Sequence, residues 1–556
     1  MPIKEPIVTV EAASTEDATS TDEQIYIAEE ASVNSPEDLD EEDFSDIDQK
    51  KLLRKLDLRL LPLFTILYLL SFLDRGNIGN AKIEGLTEDL NLVGNQFNMC
   101  LTIFFIFYSA LEVPSNMVLH NVKPRWYIST TMLLWSIVMT LMGTVNNYKQ
   151  LLATRALLGI FEAPLFPGIS YMLSRYYSKS EILVRQAIFF SAATLAGAFS
   201  GLLAAGLSQM RGIGGYEGWR WIFIIEGLLT FVFALVSYVY FPMYPDESSF
   251  LTPKERRFIT HKIKHSSNAE NMKIVATAVP EKSLGEDNAT DKSQVWAVLK
   301  DWQSWTQLMI CYGTLVPLYA MSLFGPTIIY SLGCTSTEAQ LLGVPVYALA
   351  SGWCVFQAWL SDRVGLRAPF MIFDILCIVT GFSVLLGFNT ITNPGSQYAA
   401  MYVIGIGCAA YPLVVIWLSN NLAGSYKRAI GMAFQIGLGN FSGAFSSNFY
   451  RQQDAPQYNL GHALCLGFAV MGLLFSLIAV SGYMYCNRKR RREVAQGKYD
   501  DVPPEELIKM GDKSPYFVVV KNDTAAKENK PKKNCCGASC KCGSSCQCAS
   551  CNTTKL

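Results

Sequence analysis

Ionisable side chains set inside otherwise apolar runs are the first chemically distinctive feature of this sequence. Leu73-Asp74-Arg75-Gly76-Asn77 closes one such run, and Tyr108 and Glu112, four residues apart and so on one helical face, stand in the next. Arg155 and Glu162 follow; seven residues are about two helical turns, so they share a face and could line one cavity. Arg220, Glu226 and Asp374 come further on. A charge in hydrocarbon costs at least a few kcal/mol, so by default these groups face a partner or a water-filled cavity. An arginine keeps its proton and can hold a carboxylate through two parallel hydrogen bonds. A neighbouring carboxyl can exchange a proton with cavity water. The sets Asp74–Arg75 and Arg155–Glu162 therefore suit proton-coupled handling of an organic anion. The competing reading is structural, with opposite charges neutralising each other between helices, and it is preferred for Glu226 and Asp374. For Arg220, near an aqueous end, the expectation is snorkelling to the interface.

Such residues need a membrane-spanning frame, and the composition supplies one. The 556 residues are 50% hydrophobic and only 17% charged, against roughly 25% charged in soluble domains. A formal net charge of -1 leaves no excess to neutralise phosphates, so no nucleic-acid partner is expected. No nucleophile–base pair or glycine-rich phosphate loop points to an enzyme. A bilayer core of about 30 Å needs about 20 apolar residues per helix. Twelve runs qualify, roughly 60–80, 97–118, 127–146, 151–173, 187–208, 221–241, 306–330, 341–361, 370–388, 399–420, 429–449 and 462–486. The expected fold is all-α: twelve transmembrane helices in two six-helix lobes around a central cavity.

The domain plan is then an acidic N-terminal tail over 1–49, disordered by composition, and a first lobe over 50–241. A central loop over 242–303, a second lobe over 304–487 and a tail over 488–556 follow. Lys and Arg concentrate in the loops after the second, fourth, eighth and tenth runs, which puts both tails and the central loop in the cytoplasm. Glycine at positions such as Gly197, Gly201 and Gly206 lets helices pack closely, whether to slide or simply to hold.

Seven of the 15 cysteines crowd the segment 535–551: Cys535, Cys536, Cys540, Cys542, Cys546, Cys548 and Cys551. Two Cys-x-Cys pairs with Gly and Ser between them are not a disulfide plan for a cytoplasmic tail. As thiolates they suit soft ions, Cu(I) or Zn; palmitoylation and plain low complexity are the rival readings. No cofactor is expected for the membrane-embedded part.

Ser361-Asp362-Arg363-Val364-Gly365-Leu366-Arg367 resembles the loop signature of the major facilitator superfamily, and Arg155-x-x-x-Gly159 resembles a second signature. In the first half the matching loop reads His120-Asn121-Val122-Lys123-Pro124-Arg125, with histidine where Asp is expected. Longer stretches are similar to the anion:cation symporters and their fungal allantoate-permease branch. They include Phe72 to Ala81, Glu112-Val113-Pro114-Ser115-Asn116, Gly218 to Gly227, Gly325-Pro326-Thr327, Ala339-Gln340-Leu341-Leu342, Gly439-Asn440 and Asp454 to Tyr458. The tail from Cys540 to Cys551 resembles short fungal copper metallothioneins.

The resemblance implies a plasma-membrane permease, monomeric, that takes up a small organic anion with protons by alternating access. Nicotinate, pantothenate and allantoate are the kinds of acid implied. It implies that Arg75, Tyr108, Trp417, Asn420 and Asn440 bind substrate and that Asp74, Glu112, Arg155 and Glu162 couple the proton. Asp362, Arg363, Gly365 and Arg367 are the implied conformational gate. A nutrient sensor signalling through the tails, or a metal-responsive protein using the cysteine segment, is the alternative.

Overall fold

The computed structural model describes residues 44, 46–178, 181–263, 292–388, 392–422, 425–499, 502, 512 and 514–515. Residues 1–43 and the cysteines of 535–551 lie outside the described residues, as does the side chain of His120. All regular structure among the described residues is helical. A lipid-embedded backbone finds no water to bond to, so each segment must close its own hydrogen bonds.

The first lobe holds α1 (Gln49–Ala81), α2 (Gln96–Asn121), α3 (Pro124–Met142), α4 (Tyr148–Glu162), α5 (Leu165–Tyr176), α6 (Ile182–Leu207) and α7 (Gly218–Tyr240). Two short helices follow, α8 over 253–263 and α9 (Lys292–Leu299). The second lobe holds α10 (Trp302–Tyr330), α11 (Ser336–Val364), α12 (Ala368–Gly387), α13 (Pro394–Gly407), α14 (Tyr411–Asn421), α15 (Ser425–Ser446) and α16 (Asn459–Ala495). Each of the twelve apolar runs coincides with one helix, except the fourth and tenth, which are broken in two. The fourth breaks at Pro164, and the tenth passes through a tight turn at Cys408–Ala410 just before Pro412. Proline removes a backbone donor and crowds the preceding turn, so both breaks have a local cause. Nine of the described helical stretches are long and apolar enough to cross a membrane, counting α4–α5 and α13–α14 as one each; α2, α3 and α15 fill the other three places.

Within the first lobe α1 lies along α6, α2 along α4 and α3 along α7; within the second, α10 lies along α15 and α16, and α12 along α13. The lobes meet where α6 faces α11, α2 faces α15 and α1 faces α10. Two glycines allow close approach, one within the first lobe and one between the lobes. A Cβ on Gly159 would run into the Phe104 carbonyl of α2, and one on Gly201 would stand 2.5 Å from the Gln340 carbonyl of α11. On the face away from the chain ends, Glu84 accepts from Gln340 at 3.0 Å and Asn95 donates to Asn448 at 3.4 Å, which draws the lobes together there.

On the face carrying both chain ends, polar clamps hold the helix starts. The Asp48 side chain caps α1 by accepting from the Lys50 amide at 2.9 Å. Arg185 holds Asp57 through two 2.7 Å bonds, and α8 docks through Lys55–Glu255 and Lys262–Glu181, each 2.7 Å. Burial works against the charge of Glu181, but Lys262 and Ser178 outweigh it and hold the carboxyl below its usual range. In the tail, buried Asp512 binds Lys427 at 2.8 Å, which also binds Asp301 at 2.8 Å.

Candidate functional site: a buried guanidinium between the lobes

Arg75 lies where α1 faces the second lobe, 2% exposed. Its Nη2 donates to Glu162 Oε1 at 2.5 Å, and Ser71, one turn earlier on α1, donates to the same oxygen at 2.5 Å. On the other side Nη1 reaches the Tyr319 hydroxyl of α10 at 3.4 Å. Tyr319 donates to Asn440 Oδ1 of α15 at 2.8 Å, and Asn440 Nδ2 donates to Glu112 Oε2 of α2 at 2.7 Å. One chain of polar contacts thus runs from α4 through α1, crosses to the second lobe and returns to α2. The rings of Phe72 and Tyr108 each lie 4.6 Å from the guanidinium carbon, a cation–π arrangement that shields the charge from lipid. Tyr68, Phe72, Tyr108, Tyr319 and Tyr411 wall a cavity of about 10 Å³ here, room for about one water. A larger guest requires the lobes to part.

The structure groups Arg75, Tyr108, Glu112, Glu162 and Asn440 as the sequence suggested, but pairs them differently. Asp74 does not join Arg75: one residue is about 100° of helix, and Asp74 turns into its own lobe. There it accepts from Trp135 Nε1 at 2.8 Å and Thr230 at 3.1 Å. Arg155 does not join Glu162 either; seven residues on one face are still about 10.5 Å apart along the axis. Arg155 is buried, its Nε and Nη2 lack hydrogen-bond partners among the described residues, and its guanidinium lies 5.8 Å from the Phe223 ring. Trp417 is buried 5.5 Å from the Tyr483 ring and Asn420 is exposed near the end of α14; neither lines the central cavity.

Among the described residues no opposite charge pairs with Glu226 or Asp374. Glu226 accepts from the Asn77 amide, and Asp374 accepts from Trp353 Nε1 at 3.0 Å. Arg220 does not snorkel: it is buried, bonded to Asp89 at 2.9 Å and to the Val145 carbonyl at 2.7 Å, just past the end of α3. At the face of the chain ends Arg367 donates to Asp362 at 2.7 Å, while Gly365 stops α11 with φ +76°. Arg363 lies over the Trp359 ring at 4.2 Å. Among the described residues no cluster of His, Cys, Asp and Glu has metal-site geometry.

Ser71, Tyr319 and Trp135 went unnoticed in the sequence. Ser71 is four residues before Arg75 and so shares its face. Tyr319 carried a weaker signal: a tyrosine hydroxyl in mid-span must find a partner.

A profile described as Major Facilitator Superfamily matches residues 64–447. The chain belongs to the major facilitator superfamily. A protein of Schizosaccharomyces pombe described as an uncharacterized transporter is 34% identical over 84% of this chain and 90% of its own length. The high-affinity nicotinic acid transporter of Saccharomyces cerevisiae is 30% identical over 84% of each chain. Among solved structures, a bacterial homologue of the human lysosomal transporter Spinster superposes with a TM-score of 0.53 at 17% identity, over 76% of this chain and 96% of that one. The nucleoside transporter NupG gives 0.53 at 11% identity, over 76% and 99%. This major facilitator is accordingly a multi-pass membrane transporter of small solutes, not an enzyme.

Proposed function

We propose that this transporter carries a small organic anion, a monocarboxylate of the nicotinate or pantothenate kind or a ureide such as allantoate, together with protons, inward across the plasma membrane with both chain ends in the cytoplasm. The observation that carries the reading is the buried Arg75 guanidinium at the lobe interface, held by a carboxylate that a substrate carboxylate would replace. The first-lobe core holds four carboxyls (Asp74, Glu112, Glu162, Glu226) and two guanidiniums (Arg75, Arg155), each 3% exposed or less. Four acids against two cations leave two charges uncompensated, which a low-dielectric interior resists. Protons on two of the four restore neutrality.

The contacts support the following working sequence. With Glu162 charged, Arg75 is occupied. A proton on Glu162 releases the guanidinium, which then takes the substrate carboxylate with Tyr319 and Asn440 beside it. Phe72 and Tyr108 pack against the body of the acid. Rocking of the lobes about the α1–α10 contact exposes the loaded site to the other side, where proton and acid leave. The aromatic walls and the nicotinic acid transporter among the relatives both support a small carboxylate whose body packs against rings.

Uptake of labelled nicotinate and a panel of small acids, expressed in a transporter-null yeast, tests this. Uptake should rise as external pH falls, collapse with a protonophore and vanish in Arg75→Gln at unchanged surface amount. Uptake indifferent to pH and to Arg75 would defeat the reading.

A further inference from the structure

A second, larger cavity of about 50 Å³ lies beside the central one, between α1, α6, α10, α11 and α13, with Phe72 and Leu318 shared by both. Phe72, Gly76 and Asn80 recur at four-residue intervals, so one stripe of α1 runs from the Arg75 cluster into this space. Its walls are mostly apolar, but two amide side chains break the pattern. Asn80 and Gln340 are 2% and 1% exposed, and the side-chain carbonyl oxygen of each has no hydrogen-bond partner among the described residues.

Their other ends are committed. Asn80 Nδ2 donates to Ser200 at 2.6 Å, Ser200 donates to Asn77 at 2.9 Å, and Asn77 donates to Glu226. Gln340 Nε2 donates to Glu84 at 3.0 Å. With the nitrogens fixed by these partners, neither amide can flip without breaking a bond. What remains is a pair of buried acceptors with no donor, and a buried acceptor left unmade is costly. The two residues that carry these idle acceptors line a mostly apolar cavity, and a cavity that opens onto them is complementary to a neutral group that brings N–H or O–H donors.

We propose that Asn80 and Gln340 read a hydrogen-bond donor, an amide or hydroxyl, on the end of the substrate remote from its carboxylate. The inference rests on the reading of Arg75 as the carboxylate clamp. Asn80 stands five residues beyond Arg75 on α1, about 7.5 Å along the axis. The two cavities share Phe72 and Leu318, so once the lobes part an acid anchored at Arg75 extends between these side chains toward the second cavity, where the polar atoms decide which acids fit. A site built to bond a donor discriminates strongly against an analogue that lacks it, because its own acceptors stay unpaired.

Succinamate and 4-oxopentanoate make the test, since they have the same heavy-atom skeleton and differ in an NH₂ against a CH₃. Their uptake by the full chain in transporter-null yeast is compared at acidic external pH. Succinamate should be favoured by about tenfold in uptake at low concentration. Gln340→Met keeps the length and removes the acceptor. It also removes the Glu84 bond between the lobes, which alters the uptake of both acids alike, so the readout is the ratio, which should fall severalfold toward one with Asn80 as the remaining acceptor. Equal uptake of the two acids by the wild type, or a ratio unmoved in Gln340→Met, overturns the proposal. If the variant does not reach the surface, the wild-type ratio decides alone. Loss of the clamp reading looks different: both acids are then taken up without regard to Arg75, or neither is.

Discussion

Glu162→Gln separates a carboxylate that merely holds the lobe together from one that competes with substrate. The substitution keeps the side chain's size but removes the charge facing Arg75 Nη2 at 2.5 Å. Arg75 is then a buried cation without its anion, and stripping one partner from a buried pair costs about 3–5 kcal/mol. An incoming carboxylate restores the pairing and recovers part of that cost as affinity. Recovery of only about 1.4 kcal/mol makes anion binding tenfold tighter. In the wild type, wherever a proton must be taken up first, affinity falls by up to tenfold per pH unit, or about 1.36 kcal/mol. In Glu162→Gln that slope disappears, and acid no longer accumulates against a gradient although exchange across the membrane persists. Binding of labelled nicotinate to purified protein over a series of pH values, with counterflow in proteoliposomes, measures both effects. A folded variant that keeps the wild-type pH slope, or binds the acid more weakly, refutes the competition argument.

The Asp362–Arg367 pair is part-exposed, so Asp362→Asn should cost at most about 1 kcal/mol of stability. Under a gate role it should still slow uptake several-fold at equal surface amount, and uptake at the wild-type rate removes that role. Gly201→Val puts bulk against the Gln340 carbonyl where α6 meets α11. An overpacking cost of about 1–3 kcal/mol should shift the population toward the state open on the face away from the chain ends. Thiol labelling of a cysteine placed near Asn95 reports that shift, and unchanged labelling counts against it. Deleting 535–551 should leave organic-acid uptake unchanged and lower the copper or zinc bound per molecule, as read by elemental analysis of purified protein.

The frame was legible because bilayer physics is one-dimensional: a run of apolar residues of the right length becomes a helix whatever packs beside it. The breaks at Pro164 and before Pro412 were less legible, since Pro62, Pro114, Pro317, Pro326 and Pro345 lie inside helices that continue through them. Pairing was not legible. Asp74 and Arg75 are neighbours in the chain and point about 100° apart, while Arg75 and Glu162 meet across 87 residues. Sequence spacing reports which residues share a face, and it says nothing about which helix that face meets or at what height. Arg220 went astray for a related reason. Its nearness to an aqueous end was plain, but the carbonyls past the end of α3 and the carboxylate of Asp89 became its partners only through the packing of α3 against α7. Tyr319 was hidden because tyrosine is common in apolar helices, and its hydroxyl matters only once Asn440 is set opposite.

The fourth membrane crossing of each lobe is cut in the middle, at Pro164 in one and at Cys408–Ala410 in the other. Equivalent elbows in the two halves mean that neither half need swing as a rigid slab. The portion of each crossing nearer the chain ends can fold away like a shutter while the remaining portion stays seated, so a small cargo could be let out without undoing the seal on the far side.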